Sequence, residues 1–72
     1  MIRIIGHGIL SRFACELEID RPILLGELVE RIGMSPDLVK DVVFVKGHFV
    51  IDGSTVIKDG DEIHLFLVMC GG

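Results

Sequence analysis

The residues of this chain that could take part in chemistry are few, and most sit near one end. The sequence runs out through Cys70-Gly71-Gly72, three residues with almost nothing to pack. They read as a mobile tail over 70–72, beyond a folded unit over 1–69. A plain frayed end is the other reading of Gly71 and Gly72. Cys70 reads as a spacer, or as a thiol forming a transient link with a partner. Cys15 alternates with apolar residues and reads as a small buried hydrophobe. His7, His48 and His64 are too dispersed in the sequence to argue for a metal site. Asp59, Asp61 and Glu62 form an acidic turn that is either solvated or set to meet basic side chains of a partner. There is no nucleophile–base pair, no phosphate-cradling glycine loop and no paired carboxylates with a credible pocket. The chain therefore does not read as an enzyme, and no bound cofactor and no metal are expected.

Composition narrows the class further. Seventy-two residues make one small domain, half of them apolar, enough for a compact core without staples. The net charge is −4 and the pI about 5.1. The few basic residues are scattered singly, which argues against nucleic-acid binding. Two cysteines are too few for a disulfide scaffold or a four-thiolate metal site. The first residues, Met-Ile-Arg-Ile-Ile-Gly-His-Gly, do not read as a signal peptide, and no apolar run approaches a membrane span. A cytoplasmic location with reduced thiols and no membrane contact is expected.

The elements that must position these residues follow from periodicity. Met1–Ile5 alternates as a strand. Phe13, Cys15, Leu17 and Ile19 alternate against Arg12, Glu16 and Glu18 as a second strand, close enough to form a hairpin with the first. The period then changes. Leu24, Leu25, Leu28, Val29 and Ile32 make one helical stripe, with Asp20 and Pro22 as its start and Gly33 as its stop. Gly26 inside the stripe costs about 1 kcal/mol relative to Ala. Ser35-Pro36 can open one more turn through Leu38. Val42–Val45 reads as a strand, Lys46-Gly47 as a turn and His48–Ile51 as a short strand. Asp52-Gly53 and Asp59-Gly60 are turns, and Ile63–Met69 is the last strand. The class is α+β, with a mixed sheet of four to five strands and one helix across one face, in ββαββ order.

That order, the length and the ending resemble the ubiquitin-like β-grasp fold and, within it, the ThiS and MoaD sulfur carriers. Asp59-Gly60-Asp61-Glu62-Ile63 is similar to the acidic turn that opens the last strand of those carriers. Val45-Lys46-Gly47 is similar to their hairpin, where Asn is common in place of Lys46. The resemblance implies that a ubiquitin-activating-enzyme-like adenylating partner uses ATP to activate the Gly72 carboxylate. Sulfur then displaces AMP, and the thiocarboxylate donates it through a thiazole-type (thiamin) or molybdopterin-type (molybdenum cofactor) synthase. The residues suit that scheme. A carboxylate is a poor electrophile until activated, and Gly71 and Gly72 can thread a narrow channel in dihedrals that other residues avoid. A ubiquitin-like modifier joined to lysines through the same tail, and an interaction domain with an idle diglycine, remain open alternatives.

The partner surface follows from the last strand. With Ile63, Leu65 and Leu67 turned to the core, His64, Phe66 and Val68 point away from the helix, and Met69 follows them. The same argument turns Val43 and Val45 inward and Phe44 and Lys46 outward, so Phe44 and Phe66 would share an exposed patch. Counting back from the diglycine, His64 and Phe66 match the His and Val of ubiquitin's hydrophobic recognition patch. Phe44 matches its Ile.

Overall fold

The structure, a computed structural model, describes residues 1–68. In chain order it holds β1 (Ile2–Gly6), a 3-10 segment (Gly8–Phe13), β2 (Cys15–Leu17), β3 (Ile23–Leu24), α1 (Leu25–Arg31), α2 (Pro36–Val39), β4 (Val42–Lys46), β5 (Phe49–Ile51), β6 (Val56–Ile57) and β7 (Glu62–Leu67). Five strands form one sheet in the order β2-β1-β7-β4-β5, and β3 pairs with β6 apart from it. β1 and β7 run parallel, side by side at the centre, and every other pairing is antiparallel. A parallel pair needs a long crossover; here everything between the first and last strands supplies it. The result is α+β with a mixed sheet. No helix among the described residues is long and apolar enough to cross a membrane.

The core lies between the sheet and α1. Ile2, Ile4, Phe44, Ile63 and Leu65 from the sheet meet Leu25, Leu28 and Val29 from the helix in one buried cluster. Those three helix positions are the expected stripe at i, i+3 and i+4. The helix starts later than Asp20 and Pro22 suggest. Leu24, expected in the stripe, is 49% exposed and extended, and belongs to β3 opposite Val56. The first helical N–H groups are satisfied by a loop and not by a side-chain cap: Leu25 donates to the Thr55 carbonyl at 2.9 Å and Gly26 to that of Gly53 at 3.1 Å. A Cβ on Gly26 would lie 3.4 Å from the Gly53 oxygen, an ordinary contact distance, so the loop packs closely here without excluding a side chain. The helix stops at Gly33 with φ +80°, as expected. Ser35 and Pro36 do open a turn: the Ser35 hydroxyl accepts from the Leu38 N–H at 3.3 Å.

The expected second strand shortens to Cys15–Leu17, because residues 8–13 wind into the 3-10 segment and bury Leu10. Cys15 is half-buried against the core, with a free thiol. Phe44 requires a correction. It is 6% exposed and lies in the core. Residues paired across a ladder share a face, and Phe44 pairs with buried Leu65 while Val43 and Val45 pair with outward Phe66 and His64. Lys46 pairs with Ile63, so it too lies on the core side, at the rim, where its amine reaches Asp61 at 3.1 Å.

The turn after β5 is closed by Asp52, whose carboxylate accepts from the Ser54 hydroxyl at 2.6 Å and the Ser54 N–H at 2.9 Å. These bonds, the hydroxyl first, hold its pKa below the ordinary 3.8. A depressed carboxyl pKa contributes stability that is fully present above the ordinary value and lost as pH falls through the folded one. Asp52→Ala is therefore expected to lower stability slightly at neutral pH and not at strongly acid pH. Urea melts of both proteins across the acid range check this.

Candidate functional site

The sheet face opposite α1 carries the candidate site. Its rows follow from the register. Ile5, His64 and Val45 lie abreast on β1, β7 and β4, Phe66 lies beside Val43, and Arg3 beside Glu62 and Glu16. The expected orientation of β7 is observed: Ile63 and Leu65 are buried, His64 is half-buried, and Phe66 and Val68 are 39% and 43% exposed. β7 is hydrogen-bonded on both sides, by β1 and β4, so this row stands on the central strand of the sheet. The Val68 N–H adds a 2.7 Å bond to the Asp41 carbonyl.

His7 joins this row, which sequence reasoning missed. Its ring stacks on Phe66 at 4.3 Å between centroids and 5° between planes. Its Nε2 lies 2.9 Å from His64 Nδ1, and His64 Nε2 lies 2.9 Å from Glu62 Oε1. Glu62 also faces the Arg3 guanidinium at 3.8 Å, which reaches Glu16 at 3.5 Å. A polar chain thus runs from Glu16 through Arg3, Glu62 and His64 to His7, and ends against an aromatic ring. His7 and His64 are distant in the sequence but adjacent in the fold. Parallel pairing sets Ile5 beside His64, so the chain leaving β1 brings His7 opposite Phe66, and the His7 N–H bonds the Leu65 carbonyl at 3.0 Å. The only sequence signal was the alternation of β7, which does not reveal which strand lies alongside. Among the described residues no group of three or more His, Cys, Asp or Glu is arranged to hold a metal ion.

The acidic turn is largely occupied. Asp61 accepts from the Lys58 N–H at 2.8 Å and pairs with Lys46. Asp59 pairs with the Met1 amino group, and the Gly60 N–H bonds the Met1 carbonyl. The turn therefore clamps the start of β1 to the start of β7. Phe44 is absent from the face; Val43 and Val45 take its place. Met69, Cys70, Gly71 and Gly72 lie outside the described residues.

Fold and site together define a small α+β domain that presents one sheet face with a mixed aromatic and ionic row. No protein-family model matches the chain, and no curated protein matches it either. Its functional reading rests on its own residues.

Proposed function

We propose that this chain is a sulfur carrier of the ThiS and MoaD type, with a β-grasp fold. A helix over one face of a sheet whose first and last strands are parallel neighbours supports that fold. The observation that carries the function is the relation of β7 to Gly71-Gly72. The central strand ends at Leu67, with three residues between it and the diglycine in the sequence, and carries His64 and Phe66 on its open face. A rigid central strand makes a firm handle, and a side-chain-free segment beyond it can enter another protein's active site. In this reading an adenylating enzyme docks on the β7 row and uses ATP to activate the Gly72 carboxylate in the cytoplasm. Sulfur displaces AMP, and a thiazole- or molybdopterin-type synthase consumes the thiocarboxylate. The chain is the carrier and not the catalyst.

Intact mass spectrometry of the protein from its native cell tests this. The expected species ends at Gly72 with one oxygen replaced by sulfur. Branched diglycine remnants on lysines of other proteins would instead make it a ubiquitin-like modifier. Neither signal, with normal growth after deletion of Gly72, would leave an interaction domain with an idle diglycine. The docking face has its own test. Phe66→Asp is expected to weaken binding to the copurifying adenylating enzyme about tenfold or more, on the order of 1.4 kcal/mol, with an unchanged circular dichroism spectrum. Unaltered affinity would remove Phe66 from the docking surface.

A further inference from the structure

The His7–His64 contact has a property set by donor counting. A neutral imidazole has one N–H and one bare nitrogen; a protonated one has two N–H groups and no acceptor. The gap between His7 Nε2 and His64 Nδ1 holds one hydrogen. With both rings neutral, His64 directs its Nε2–H at Glu62, and its bare Nδ1 accepts from His7 Nε2–H. With one proton added at His7 Nδ1, the hydrogen in the gap can cross to His64, which then donates from both nitrogens, to Glu62 and to His7 Nε2, while His7 carries its single proton on Nδ1. Both states preserve the bond. A second proton sets N–H against N–H and charge against charge, and no tautomer relieves it.

We propose that this pair is a proton-counting latch: it stays closed with zero or one proton on the two rings, opens with two, and on opening takes the His7 ring off Phe66. Few charged groups face the pair. Glu62 accepts from His64, and its other charged neighbour, Arg3 on β1, is shared with Glu16 on β2. β4 presents apolar Val43 and Val45 to the row, its Lys46 being paired with Asp61. His48, at the β4–β5 turn, shares a groove with His64. From the 3-10 segment the one charged side chain, Arg12, lies over Phe13. Among the described residues, the hydrogen-bond partner of the His7 ring is His64. Opening would expose more of the Phe66 ring and add charge beside it, which changes the surface a partner meets.

That last consequence rests on the docking role proposed above, so the test uses the free protein. Imidazole nitrogen and Phe66 ring-proton NMR signals are followed from above neutral to about pH 5 or below. The His7 and His64 signals are expected to move in two steps, each ring responding to both. The Phe66 ring protons keep their upfield stacking shift through the first step and lose it in the second. In His64→Gln, where an amide carbonyl can accept from a protonated His7, Phe66 is expected to keep its shift throughout. The latch is overturned if the wild-type Phe66 signals ignore full protonation of both rings, or if they respond identically in His64→Gln. Amide spectra of both proteins confirm that the sheet is intact. Failure of partner binding would sink the docking reading and leave the latch standing.

Discussion

Phe44→Ala is expected to cost about 3–5 kcal/mol, the range for emptying a buried aromatic site, whereas Phe66→Ala costs about 1 kcal/mol or less. The two rings lie on adjacent strands of one sheet, on opposite faces. Phe44 pairs with Leu65 and sits among core residues, and Phe66 pairs with Val43 on the open face. A domain of 72 residues has a total stability of roughly 4–11 kcal/mol, so losing Phe44 removes a large part of it. Phe66→Ala loses a stacking contact with His7 and the partial cover of a ring that is 39% exposed, and it opens no cavity in the core. Urea unfolding of the two variants decides between the faces. Equal costs would mean that the register of β4 on β7 is wrong by one residue, because such a slip exchanges the faces of every side chain.

Gly6→Ala is the second large effect, about 3 kcal/mol, near the upper end of the usual cost of forcing atoms into a packed site. Gly6 ends β1 where the 3-10 segment folds back over it, and a Cβ there would overlap the Leu10 carbonyl. That neighbour is backbone and cannot rotate away. The segment would have to lift, and with it Leu10, which is 1% exposed and part of the core. Because His7 is the next residue and accepts the Leu10 N–H at 3.1 Å, the same movement should loosen the His7–Phe66 stack. Two readouts are therefore expected together: a lower unfolding midpoint in urea, and Phe66 ring protons moved toward their unstacked shift at neutral pH. Full stability with an undisturbed Phe66 signal would show that the segment moves aside freely.

Much of this molecule was legible from local patterns. The stripe Leu25, Leu28 and Val29, the stop at Gly33, the Ser35-Pro36 turn and the strict alternation of Ile63 to Phe66 each depend on neighbours within a turn or two along the chain. Periodicity reports such relations directly. Two short strands, Ile23–Leu24 and Val56–Ile57, escaped because two residues carry no period. They exist because each has the other to pair with. Their pairing also set where α1 begins, so Asp20 and Pro22 lost the role that local capping rules assign them.

The candidate site divides in the same way. That His64, Phe66 and Val68 face away from the core followed from taking Ile63, Leu65 and Leu67 as core-facing, the parity that puts polar Glu62 and His64 outside. The orientation of Phe44 could not follow, because Val42 to Val45 is apolar throughout and either parity satisfies the pattern; the ladder to β7 settled it. His7 is the clearest case. Its type and place in the sequence say only that a histidine follows a short strand. It stands 57 residues from its hydrogen-bond partner, and the two meet because the first and last strands pair in parallel with Ile5 beside His64. Local chemistry sets which way a side chain points on its own strand. Which residue it then touches depends on register between distant segments, a property of the assembled sheet.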